Sequence, residues 1–171
     1  EDGPFWKKGD VFLSLLRNSS IIHYRPETDQ LINFIKGPFF EQHDIDILSE
    51  NEISVFNNNN SLMDDKKFSE LLVYNFETNK FKKILSNQLE SKNFKTETEG
   101  LADFSRDGSI MLEETNGGRI LFYNEKGNLE WEFINVSNDG KIYPVSWARL
   151  ISNVKMVKNI KNSIKNKKCL N

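Results

Sequence analysis

Tyr24-Arg25-Pro26-Glu27-Thr28-Asp29, Tyr74-Asn75-Phe76-Glu77-Thr78-Asn79 and Tyr123-Asn124-Glu125-Lys126-Gly127-Asn128 are three versions of one phrase, with tyrosines 50 and 49 positions apart. A β-rich run precedes each: Ser20-Ile21-Ile22-His23, Glu70-Leu71-Leu72-Val73 and Arg119-Ile120-Leu121-Phe122. Another run follows each turn: Leu31-Ile32-Asn33-Phe34-Ile35, Phe81-Lys82-Lys83-Ile84-Leu85 and Leu129-Glu130-Trp131-Glu132-Phe133. Pro, Asn, Asp, Thr and Gly between β-branched and aromatic runs are hairpin chemistry. They supply a fixed or positive φ and short side-chain hydrogen bonds to the turn backbone. Three hairpins at a fixed period follow.

Working outward, one more β-like run lies upstream of each hairpin, at 10–15, 52–56 and 109–113, and two of these follow another, at 45–48 and 101–104. Four short strands in about 50 residues is the pattern of a propeller blade. The predicted fold is all-β: a partial β-propeller of three four-stranded blades, with a short basic tail or helix at its C-terminus. Residues 1–152 hold the blades, at about 6–36, 43–88 and 99–136 plus a strand at 142–151, and 153–171 form a Lys-rich tail. Leu129, Trp131 and Phe133 are expected on one face of an outer strand, with Glu130 and Glu132 on the other. Trp131 and Trp147 are read as interblade packing. Helical periodicity is absent before about 153. A blade buries both faces against its neighbours, so further blades of the same parent chain are expected as its partners.

The totals bound the function. Of 171 residues 37% are apolar and thirteen are Phe, enough for a packed core. A net charge of −2 argues against coating nucleic acid. No run approaches the ~18–20 apolar residues of a spanning helix, and no targeting segment is visible. A single cysteine, Cys169, rules out an intramolecular disulfide and a cysteine-based metal cage. Asp44 and Asp46 are expected on opposite sides of a strand, and Asp64-Asp65 lacks spaced partners, so neither calcium nor zinc is implied. The asparagine run at 57–60 reads as a solvated loop. In the tail, six lysines without an acid, and Val157, Ile160 and Ile164 at helical spacing, fit a solvated tail or a basic amphipathic helix touching a membrane surface.

Lys36-Gly37-Pro38-Phe39-Phe40-Glu41-Gln42-His43-Asp44 resembles a stretch of the arylsulfotransferase family, whose members carry Gly-Pro-aromatic ending in Gln-His-Asp. Gly9-Asp10-Val11 with Ser14 and Arg17 resembles the family's Gly-Asp-x-x-x-Ser-x-Arg strand, with an extra Leu. Ser105-Arg106-Asp107-Gly108, followed by Gly117-Gly118-Arg119-Ile120, resembles a third family stretch. The resemblance runs from about residue 6 to 151. It implies a six-bladed propeller with a site at its central channel. It also implies sulfuryl transfer from an aryl sulfate to a phenol through a histidine intermediate, without cofactor or metal, in an exported or membrane-anchored protein. An imidazole nitrogen suits that role as nucleophile and leaving group, and an Arg fork pairs with sulfate oxygens.

By that resemblance His43 falls on a channel histidine and is the candidate catalytic residue. Arg17 and Arg149 are candidate anion clamps, or else members of interblade ion pairs. Asn58 is a candidate channel residue, and Trp147 a platform for an aryl group. The departures are as informative. The channel Arg that follows Phe-Asp-Asn-Gly in the enzymes is replaced here by Asn57-Asn58-Asn59-Asn60-Ser61-Leu62. The stretch His-Tyr-Arg-Ala, which carries their nucleophile, is replaced by Ser146-Trp147-Ala148-Arg149. His23, mid-strand, is read as structural and Arg119 as a turn-exit residue with an ion pair. Two functions stand open: an arylsulfotransferase-like enzyme acting on aryl sulfate and phenol, and a ligand- or protein-binding propeller lacking the nucleophile.

Overall fold

The computed structural model describes residues 2–60, 68–165 and 167; Ser61, Leu62, the Asp64-Asp65 pair, Lys168 and Cys169 lie outside them. Among the described residues eleven strands form three antiparallel sheets. The first contains β1 (Val11–Leu15), β2 (Ser20–Arg25) and β3 (Gln30–Lys36), in that order. The second runs β4 (Gln42–Ile47), β5 (Glu52–Asn57), β6 (Glu70–Asn75), β7 (Lys80–Ile84). The third runs β8 (Leu101–Phe104), β9 (Ile110–Glu114), β10 (Arg119–Tyr123), β11 (Leu129–Ile134). Every strand pairs with its sequence neighbour, as in a blade. The first sheet has three strands where four are expected.

The repeated phrase earns its form in the turns. Asp29 and Asn79 close the first two hairpins at φ 51° and 55°, a left-handed conformation that Asp and Asn tolerate. Each is then held by the tyrosine that opens its phrase: Tyr24 Oη donates to Asp29 Oδ1 at 2.6 Å and Tyr74 Oη to Asn79 Oδ1 at 2.8 Å. In the third hairpin Gly127 takes the positive φ. There Asn124 Oδ1 accepts from the backbone of Lys126 and Asn128. The Tyr123 hydroxyl, freed of the job, is buried without a partner among the described residues.

The sheets pack face to face through two apolar clusters. Ile53, Val55, Leu72 and Tyr74 on one face of the second sheet meet Ile21, Ile35, Phe39 and Trp6. Phe56 and Leu71 on its other face meet Ile110, Leu112, Leu121 and Tyr123 of the third sheet. The second sheet is thus covered on both sides, and β5 and β6 are almost wholly buried. The outward faces of the end sheets leave Leu13 and Phe34, and Trp131 and Phe133, in solvent.

A polar knot fastens the first sheet. Asp10 accepts from Arg25 Nε and Nη2, both at 2.7 Å, and bonds His23 Nε2 at 2.8 Å. The Arg25 guanidinium holds the Asp10 carboxyl well below the usual carboxylate range. His23 is buried and stacked on Phe12, so its structural role is confirmed and the Gly9-Asp10 stretch serves the fold.

Four expectations need correction. Residues 142–151 form no strand; only Ile142 bridges Val136. Pro144 has no N–H to give and Trp147 sits at φ 63°, and both interrupt an extended ladder. In β11 a bulge opposite Phe122 and Tyr123 puts Leu129 on the buried face and Trp131 on the outer one. Trp131 therefore stacks on Phe122 across the strand pair, centroids 5.3 Å apart, and does not pack between sheets. A helix, α1 (Ser86–Ser91), precedes the tail; it buries only Leu89 and is too short for periodicity to reveal. The tail itself forms α2 (Val154–Ile164), capped by Asn153, whose Oδ1 accepts from Met156 N.

Leu112 lies fully buried in the second cluster. We expect Leu112→Ala to lose about 3 kcal/mol of stability in urea unfolding. Trp131→Ala, on the outer face, should lose less than about 1 kcal/mol.

Candidate functional site

Side chains of the second sheet reach out and hold the chain that leads into the third. Asn58 Nδ2 donates to the carbonyls of Thr96 and Glu99, both at 2.9 Å. His43 Nε2 donates to Gly100 O at 2.9 Å, and Asp44 Oδ2 accepts from Ala102 N at 2.7 Å. Buried Ser69 adds its hydroxyl to Thr96. Asp44 can reach because a bulge between His43 and Ile45 turns it to φ 51°. Gly100, at φ 136°, packs so tightly on Phe56 and Thr96 that no side chain fits. These bonds place 96–102 along the inner edge of the second sheet.

A second segment is held the same way one sheet later. Ala148 N donates to Glu113 Oε2 at 2.6 Å and Leu150 N to Asp103 Oδ2 at 2.9 Å, while Val145 N bonds Thr115 O. Residues 145–150 thus lie beside the third sheet as 96–102 lie beside the second. Between the two segments opens a cleft of about 270 Å³, with His43, Thr98, Gly100, Glu113, Trp147 and Arg149 in its lining.

Trp147 stands at the mouth, 78% exposed, and the Arg149 guanidinium lies over its ring at 5.0 Å, a cation–π arrangement. Arg149 spends one N–H on Ala148 O at 2.8 Å. A pocket can take a planar group against such a pair. Negative charge outnumbers positive nearby, since Asp44, Glu99 and Glu113 share the lining with Arg149. Glu113 is buried and fully engaged, by Thr115 Oγ1 at 2.7 Å and by Ala148 N.

His43 is less available than its motif suggests. Nε2 is committed to Gly100 O, and Nδ1 faces Glu41 O at 3.4 Å. A neutral imidazole has one N–H, so with Nε2 donating, the remaining lone pair points at a backbone oxygen. Of the other candidates, Arg149 and Trp147 line the cleft with His43. Asn58 does not: it is buried, and both donated bonds go to backbone. Arg17 lies exposed in the tight turn between β1 and β2, outside the cleft lining. Arg119 pairs with Glu114 and Glu132, as a turn-exit residue was expected to. The sequence reading passed over Thr98, Gly100, Glu113 and Thr115. Glu113 stands opposite Leu101 as Phe56 stands opposite His43, and Gly100 directly precedes Leu101; these are signals visible only after the strands are aligned.

Asp44 and Asp46 were expected on opposite sides of the strand, but the bulge turns Asp44 toward Ala102 N and leaves the two carboxylates close enough to repel each other. Burial, then Asp44 and Asp103, push Asp46 up to about 6, with Arg149 opposing. Burial also raises Asp44. A raised folded-state value means that the protonated form is favoured by folding, and the stability it brings fades as pH rises from the ordinary 3.8 through about 6. Asp46→Asn should therefore match the wild type in Tm near pH 4 and exceed it by roughly 2–4 °C at pH 7.5, read by thermal scans across pH.

A search of curated proteins found no match to this chain. The model of the arylsulfotransferase (ASST) family matches residues 2–136, which contain all three sheets and His43. The chain, with its propeller-like sheets and the Gln42-His43-Asp44 stretch at the inner edge of the second, belongs to the arylsulfotransferase family.

Proposed function

We propose that the cleft binds the aryl ring of a phenolic small molecule, with Trp147 and Arg149 as the binding face and His43 as a fixed wall, not as the carrier of a sulfuryl group. One observation carries this reading: the Nε2 proton of His43 goes to Gly100 O and the Nδ1 edge faces Glu41 O. A histidine nucleophile needs a lone pair aimed at the sulfur it attacks. Here neither ring nitrogen offers one to the cleft. The serine-tryptophan-alanine-arginine stretch at 146–149 supplies no second imidazole.

The carboxylates favour the uncharged ligand over the sulfate ester. A sulfate oxygen entering beside Asp44 and Glu99 meets like charge, and Arg149 must answer both acids and ligand. A phenol hydroxyl meets acceptors it can donate to. The arylsulfotransferase-like function of the family supports an aryl ligand as such; the preference for the phenol rests on this local charge. The apolar outer faces of the end sheets support a ring completed by further sheets of the same parent protein. Family members are generally exported, which supports a setting outside the cytoplasm. Among the described residues no helix is long and apolar enough to cross a membrane.

Tryptophan fluorescence titrations at pH 6, where 4-nitrophenol is mostly uncharged and 4-nitrophenyl sulfate is an anion, test this. 4-Nitrophenol should quench, with Kd in the range of about 1 mM or tighter, and Trp147→Phe should abolish the change. The sulfate ester should bind about tenfold more weakly, a difference of about 1.4 kcal/mol. Incubation with the ³⁵S-labelled ester should leave His43 unlabelled. Label retained on the protein and lost in His43→Ala would overturn the reading.

A further inference from the structure

We infer that α2 is a docking helix for an anionic lipid surface. The helix runs for 11 residues, about 16 Å, and none of its residues is buried. Met156, Val157, Ile160 and Ile164 fall within one arc of the helical wheel, and Lys155, Lys158 and Lys161 lie outside it, as does Lys165 at the C-cap. Met156, Ile160 and Ile164 point their apolar side chains into water. A stripe of this kind beside a polar face of lysines, Asn159, Asn162 and Ser163, with no acid on it, is the composition of helices that lie in the plane of a membrane interface.

Charge says which surface. Residues 140–171 hold eight of the chain's 23 lysines and arginines and none of its 25 acids. That segment is +8, and the remainder, with 15 basic and 25 acidic residues, is −10. An anionic bilayer attracts the first and repels the second, so contact is directed to the helix and the sheets are held off. A nucleic acid would answer the lysines but leave the apolar stripe in water. A neutral bilayer would answer the stripe but not the lysines.

The test is flotation of the 171-residue chain with vesicles of pure phosphatidylcholine and of phosphatidylcholine with about 30% phosphatidylserine. Binding to the anionic vesicles should be at least about tenfold tighter, and should fall steeply between 0.1 and 0.5 M NaCl as screening sets in (added salt shortens the Debye length). Ile160→Ser with Ile164→Ser should remove most of it, and so should Lys155→Gln, Lys158→Gln, Lys161→Gln and Lys165→Gln combined. The altered side chains lie outside the sheets' apolar clusters, so circular dichroism of the strands should be unchanged in both variants. Equal affinity for the two vesicles, no binding to either, or full binding by the serine variant would each overturn the inference. A dimer in sedimentation that the serine variant abolishes would do so too, by assigning the stripe to a second copy.

Discussion

Four side-chain-to-backbone hydrogen bonds, from Asn58, His43 and Asp44 of the second sheet to 96–102, decide where the third sheet's inner edge lies. Apolar burial supplies the energy of stacking, but it is non-directional and would tolerate many rotations of one sheet on another. Buried polar groups do not, because a donor left unpaired inside costs about 1–3 kcal/mol. The clasp thus converts a stack of sheets into one with a defined inner rim. The cleft is a by-product of that rim: it opens where the clasped segment and the segment tied to Glu113 and Asp103 run side by side.

The same bonds explain why family resemblance points at His43 while geometry withholds it from chemistry. Gln42, His43 and Asp44 each bond outward, to Ser20 O, Gly100 O and Ala102 N, and so join the second sheet to both neighbours. A short motif can be kept by such a joint without any reaction passing through it. Arg149 and Trp147 are placed differently. They stand on a segment held by its backbone, so their side chains are left to face whatever enters.

The fold was legible because its signals are local. Tyr24 and Tyr74 with Asp29 and Asn79 form closed loops of hydrogen bonds within six residues, so turn chemistry and period found all three hairpins, and 101–104 was placed to the residue. What failed was non-local. The bulges that turn Asp44 and flip Leu129 against Trp131 depend on register with a neighbouring strand, and alternation alone assumes there are none. The segment 142–151 looked like a strand by composition but has no ladder partner. Of the site, His43, Trp147 and Arg149 were within reach of sequence reading. Glu113 and Gly100 were not, since Glu113 matters for the backbone N–H of Ala148 that it holds and Gly100 for the backbone carbonyl it offers His43, and Asn58 was mistaken for a lining residue because burial cannot be read from a run of asparagines.

The hydrogen bonding of one imidazole separates a fixed wall from a nucleophile, and nitrogen NMR of the ¹⁵N-histidine-labelled protein reads it directly. The long-range proton–nitrogen pattern of His43 at pH 8 should be that of the Nε2–H tautomer, with Nε2 donating and Nδ1 bare, and it should not change when phenol, uncharged at this pH, is added. An Nδ1–H tautomer, with a free Nε2 lone pair that shifts on adding an aryl sulfate, would contradict the clasp and return His43 to the role of nucleophile.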